Sequence, residues 1–181
     1  MRRTLAVLAV AASIAFAAKA AKTVSRTSMV AVEKSFDKSL RAIIPDDPYG
    51  LLSFTQGVYL ENYGAVFVAE VNLSEGGAAT PFRQVIPKET LEKVRATKLE
   101  RLPKLRKAMQ NMLLASAAML DSVPANERIA IGVSLFNYPG EIAAGLPAQI
   151  LMEAPRGALV ELQTGKRDRA TIDSVIRVQE F

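Results

Sequence analysis

One stretch constrains this chain more than any other: residues 57–73, which read Gly-Val-Tyr-Leu-Glu-Asn-Tyr-Gly-Ala-Val-Phe-Val-Ala-Glu-Val-Asn-Leu. Two runs rich in β-branched and aromatic residues flank a short polar segment ending in Gly64. This is a hairpin pattern: strand, tight loop with a glycine free to take positive φ, strand. The second run is apolar at nearly every position until Glu70, and a near-continuous apolar strand implies cover on both faces. The stretch therefore predicts a central strand with the rest of a sheet built around it.

The N-terminus carries a different signal. Met1-Arg2-Arg3 precedes a short alanine-rich apolar run, and Ala18-Lys19-Ala20 has the small-x-small form of a cleavage site. Residues 1–20 thus read as a secretory signal peptide cleaved near Ala20, which places the protein in the periplasm or outside the cell. The run is too short for a comfortable membrane span. The formal charge of +5 includes Arg2, Arg3 and Lys19, so a mature chain carries roughly +2. Its remaining residues, 21–181, suit a single domain, and the absence of Cys leaves stability to packing alone.

Residues 23–44 place Met29, Val32, Phe36, Leu40 and Ile43 at helical spacing, the mark of an amphipathic helix packed on something larger. Pro45, Pro48 and Gly50 end it, and Asp46-Asp47 between them read as turn formers before a metal pair. Strands are expected over 51–60 and 65–73, then a loop through Gly76-Gly77. A long helix follows over 87–120, with a kink or break near Leu102 imposed by Pro103. From there on, Leu102, Leu105, Met109, Met112, Ser116 and Met119 recur every three or four residues and should lie on the sheet.

Residues 129–136 alternate large and small side chains as a strand does, with a small face of Ala130, Gly132 and Ser134 that permits close approach of a neighbour. A strand over 148–154, with Gln149 and Glu153 on its polar face, a short helix entered through Pro155, a cap at Asp168 and a last strand over 176–181 complete the chain. The elements come as hairpin-like pairs separated by a helix. This predicts an α+β domain: a mainly antiparallel sheet of four to five strands, carrying the long kinked helix and the N-terminal amphipathic helix. In element order alone the chain resembles the roadblock and longin domains.

The sequence contains no His and no Cys. That removes Ser-His-Asp hydrolysis, cysteine nucleophiles, histidine acid–base work and the usual zinc, copper and haem ligand sets. No glycine-rich phosphate loop occurs, and no cofactor is expected. Two catalytic constellations survive. Ser35 and Lys38 fit a Ser-x-x-Lys spacing, in which one helical turn brings a lysine base to a serine nucleophile. Glu70 and Glu153 each interrupt an apolar strand and would serve as acid and base if they faced one cleft.

The strongest charge feature is the first half of the long helix, 88–107, where Lys93, Arg95, Lys98, Arg101, Lys104, Arg106 and Lys107 far outnumber Glu92 and Glu100. Such a face suits anionic lipid, an acidic cell-wall polymer or an acidic protein. It has no aromatic residues for base stacking, which argues against nucleic acid. The sequence thus points to an exported binding or assembly protein without catalysis, with a cofactor-free hydrolase as the alternative. The C-terminal end of the second strand, at Glu70 and Asn72, is where a site is first expected.

Overall fold

The computed structural model describes residues 24–44, 50–74, 86–138, 141 and 145–181. The expected leader, Asp46-Asp47 and Gly76-Gly77 lie outside them. Helix α1 (Arg26–Arg41) starts at Ser25, whose hydroxyl accepts from the Ser28 N–H at 3.1 Å. It leads to strands β1 (Leu51–Leu60) and β2 (Gly64–Val71), then helix α2 (Lys88–Met119). Strands β3 (Arg128–Leu135) and β4 (Gln149–Pro155) come next, then helix α3 (Arg156–Gln163), a one-turn 3-10 helix at 169–171, α4 (Ile172–Val175) and β5 (Arg177–Glu180). The chain is α+β, with one five-stranded sheet in the order β1-β2-β3-β4-β5.

Three of the four strand pairings are antiparallel; β2 and β3 run parallel, because α2 carries the chain back across the sheet between them. In the β1–β2 turn, Asn62 takes φ 67° and Gly64 φ 133°. A Cβ at Gly64 would collide with the carbonyl oxygen of Arg128, so the turn can lie against the start of β3 only with glycine there. Helix α2 runs through Pro103, and the expected break near Leu102 does not occur. Proline removes one N–H bond, but Leu102 and Leu105 on either side are buried in the core, and their packing keeps the two halves in one helix.

All core-facing strand positions belong to one parity. Ala65, Phe67, Ala69 and Val71 of β2, Ile129, Ile131 and Val133 of β3, and Ile150, Met152 and Ala154 of β4 are in register. They form one cluster with Met29, Val32, Phe36 and Leu40 of α1, with Leu102, Leu105, Met109, Met112 and Leu113 of α2, and with Leu159 of α3. The methionine stripe of α2 lies on the sheet as its spacing predicts. The molecule is therefore two layers, helices on one face of a sheet. This corrects the expectation that β2 is covered on both faces. Its even positions point the other way, and Val68 there is 48% exposed. A central strand can be apolar on both sides without being buried on both.

Candidate functional site

The basic segment does not form one solvated face. Lys98 is 2% exposed, and its ammonium donates to the Phe136 carbonyl (2.7 Å), Asn137 Oδ1 (3.1 Å) and Glu141 Oε2 (2.7 Å). Burial pulls this amine below the ordinary lysine range, while Glu141 acts in the opposite sense. Arg101 donates to the Leu73 carbonyl at 3.1 Å, and Arg106 makes a two-pronged pair with Glu180 at 2.6 and 2.7 Å. Lys93 pairs with Glu89 and Lys104 with Glu100, each one helical turn away. Arg95 is half-buried beside Gly145. Lys107 is exposed and makes no ion pair among the described residues. A run of like charges in sequence has become a group of cations facing different directions, several of them engaged by acceptors of the protein itself.

The end of β2 does gather polar groups. Asn72 Nδ2 donates to the Tyr138 hydroxyl at 3.2 Å, Asn72 Oδ1 accepts from the Ser74 N–H and hydroxyl, and Lys98 lies 5.6 Å from the Tyr138 ring centroid. Glu141 also accepts from the Tyr138 N–H at 3.0 Å, while its other carboxylate oxygen is buried without a partner. This cluster clamps the segments after β2 and β3 against α2. With all three protons of Lys98 given to protein acceptors, the amine has nothing left to offer a substrate. Glu70 itself points away from the cluster, on the opposite side of the sheet.

The two catalytic constellations do not assemble. Glu70 and Glu153 share a sheet face but are two strands apart and offset by four residues. That places their Cα atoms roughly 16 Å from each other, beyond the carboxylate spacing of glycosidases. Glu153 is 6% exposed and fully engaged: it accepts from the Tyr63 hydroxyl (2.9 Å) and from Arg128 (3.1 and 3.3 Å), with Arg177 at 3.5 Å. Burial, then the bond to this carboxylate, pushes the Tyr63 hydroxyl above its usual pKa. The Ser35 hydroxyl faces α2, donating to Met112 Sδ at 3.9 Å, whereas Lys38 is exposed on the outside of α1 beside Lys34, Asp37 and Arg41. They form no dyad.

The feature that stands out is the open face of the sheet. On β1 the larger apolar side chains point to solvent: Leu52 is 45% exposed, Phe54 67%, Val58 52% and Leu60 47%. The opposite parity, which faces α1, holds Leu51, Thr55, Gly57 and Tyr59, while irregular pairing on both sides of Ser53 sets that residue opposite Glu70 on the open side. Gly57 is needed there, since a Cβ would come within 2.6 Å of the Phe67 ring and 2.9 Å of Met29. The exposed row continues into Val68, and a shallow depression of about 220 Å³ is lined by Ser53, Phe54, Gln56, Val68, Ala69, Glu70 and Ser134. A contiguous row of bulky exposed apolar side chains is a departure from an ordinary sheet.

Strand β1 is also an edge, and α1 masks it. Glu33 Oε1 accepts from the Gly57 N–H and Asp37 Oδ1 from the Thr55 N–H, both at 2.8 Å, while Arg26 donates to the Gly57 carbonyl at 3.2 Å and to Glu33 at 2.6 Å. These are the outward groups another strand would need, so pairing across the middle of the β1 edge is blocked. Glu33 and Asp37 read in sequence as the polar side of an amphipathic helix. Nothing in a helical repeat signals that a carboxylate will cap a strand.

Among the described residues no helix is long and apolar enough to cross a membrane, and no group of three acidic, His or Cys side chains could hold a metal ion. No family model, curated protein or solved structure matches the chain.

Proposed function

We propose that this is an exported binding or assembly protein without catalytic machinery, and that its working surface is the open sheet face. One observation carries the reading: Leu52, Phe54, Val58 and Leu60 of β1 and Val68 of β2 are all left exposed, while Thr55 and Gly57 take positions that face the helix. Folding alone rewards the reverse arrangement, since each large apolar side chain buried gains about 1.5–3 kcal/mol. An exposed row of this kind is the usual mark of a surface that meets another molecule. The leader-like N-terminus supports export. Contact between helix 88–107 and an anionic lipid, cell-wall polymer or acidic protein is the weaker reading, because Lys98 is buried and Arg101 and Arg106 are engaged by protein acceptors. For that reading the informative charge reversals are Lys93, Lys104 and Lys107, since reversing Lys98 would strike the core.

A photoreactive side chain installed at Phe54 or, separately, at Lys107 tests the reading in cells. The expected result is a covalent adduct from position 54 and none from 107. Adducts from 107 alone would move the working surface to the helix, and no adduct from 54 would overturn the proposal.

A further inference from the structure

Resting on that reading, we infer that the partner of the open face is the surface of an anionic phospholipid bilayer, met along the β1 edge, where Leu52 and Phe54 enter the lipid and Lys34, Lys38 and Arg41 of α1 hold its phosphates. Phe54 is 67% exposed, the highest value among the large apolar side chains described. It sits where the pairing of β1 with β2 is irregular on both sides of Ser53. Irregular pairing bends a strand and re-aims its side chains, and here Leu52 and Phe54 are both left in solvent on an edge strand. Lys34, Lys38 and Arg41 stand at i, i+4 and i+7 of α1 and so share one side of that helix. With Asp37 they line a depression of about 330 Å³. All three are exposed, and none of them enters an ion pair among the described residues. Three cations against one carboxylate leave the depression cationic, whereas Lys93 and Lys104 of α2 each carry their own glutamate.

Arg41 joins the two halves of this surface: its guanidinium lies 5.6 Å from the centroid of the Phe54 ring. The cationic side of α1 and the apolar side of β1 are therefore continuous. Glu70, the other carboxylate beside Phe54, lies on β2, away from α1. Long cationic side chains next to bulky exposed apolar ones suit the headgroup boundary, where the first reach phosphates and the second pass into the acyl region. The masked backbone favours lipid over a protein that adds a strand. Glu33 and Asp37 already accept from the Gly57 and Thr55 N–H groups, so no peptide pairs there. The same two bonds spare a bilayer the cost of facing bare backbone donors, which lipid cannot satisfy.

The chain has no tryptophan, so Phe54→Trp places a single fluorescent reporter at this edge, and Lys107→Trp gives a matching control on α2. Each full-length variant is titrated with vesicles of phosphatidylcholine alone and with vesicles in which about a third of the lipid is phosphatidylglycerol. The expected result at position 54 is a blue shift, and quenching by brominated acyl chains, with the anionic vesicles only. Position 107 should give neither. Adding Lys34→Gln, Lys38→Gln and Arg41→Gln to Phe54→Trp should weaken binding by about fivefold per charge, on the order of a hundredfold together. These three side chains are exposed, so the urea midpoint should stay unchanged, and residues 1–20 are the same in every variant. An emission at position 54 that ignores the anionic vesicles would overturn the inference. So would an equal response to both kinds of vesicle, an equal response at 54 and 107, or unchanged binding by the triple glutamine variant. Failure of the inference is separable from failure of the functional reading: a position 54 that ignores vesicles but whose photoreactive variant captures a protein in cells keeps the open face and replaces the bilayer by that protein.

Discussion

The two faces of the sheet are made from the same kinds of residue and live in different environments. Phe67 and Val68 are neighbours in β2, yet Phe67 is fully buried against α1 and α2 while Val68 is 48% exposed. On the helical face, burial is complete, so the side chains act through packing, and volume matters. On the open face, burial awaits a partner, so the side chains act through what they would lose to water on docking. Comparable apolar residues thus stabilise the fold on one side and tax solubility on the other. A chain keeps such a face when association repays it.

The largest effect should separate the two faces directly. Phe67→Ala removes a fully buried ring and is expected to cost about 3–5 kcal/mol by urea unfolding, while Val68→Ala should stay within about 0.5 kcal/mol. A comparable loss at both positions in dilute solution would mean that Val68 is covered and the contrast between faces is false. The same logic applies to charge. Lys98→Met leaves Glu141 buried without its partner and should cost about 3–5 kcal/mol, whereas Lys107→Met on the same helix should cost almost nothing. Adding Glu141→Leu to Lys98→Met should restore part of the loss, since it is the stranded charge that is costly.

The masked edge offers a third, smaller test. Glu33→Ala frees the Gly57 N–H and the Arg26 guanidinium and should cost about 1–3 kcal/mol. More tellingly, it bares the outward groups of β1. Light scattering of the variant should show slow, concentration-dependent association of a kind that Val68→Lys does not suppress, since it proceeds through the edge and not the face. If the edge stays silent after Glu33→Ala, Asp37 at Thr55 is sufficient to guard it.

Most of the architecture was legible because it rests on local rules. The hairpin signal at 57–73, the 129–136 alternation, the 3–4 spacing of Met109, Met112 and Ser116, Pro155 opening a helix and Asp168 capping a turn through the Ala170 N–H all carry their structural meaning within a few residues. Two things were not legible. The side of the sheet that stays open depends on how many helices arrive and where they land, and 65–71 has the same apolar density whether one face or both are covered. The fate of the basic residues depends on partners far along the chain: Lys98 finds Glu141, Arg106 finds Glu180 and Arg101 finds a carbonyl at residue 73. The catalytic candidates failed for the same reason. Spacing placed Ser35 and Lys38 one turn apart on α1, but it took the position of α2 to turn Ser35 inward and leave Lys38 outside.

The smallest expected effect lies on β5, where the covered face is held less by packing than by charge. Val178 on that side is 43% exposed, and the strand is tied to α2 through Arg106 and Glu180. The hydrogen bond from Arg106 holds the Glu180 carboxyl below its ordinary range, and burial offsets this in part. A carboxylate with a depressed folded pKa contributes stability above its unfolded pKa and loses it as pH falls through the folded value. The pair should therefore steepen the acid limb of the stability curve below about pH 4 and do nothing to its slope near neutrality. Arg106→Gln should flatten that limb while costing less than about 1 kcal/mol at pH 7, as both side chains are partly solvated. Urea midpoints between pH 2.5 and 7 measure it. A variant curve parallel to the native one would mean that β5 is held by its strand pairing with β4 alone, and that charge does on this edge what packing does elsewhere only in appearance.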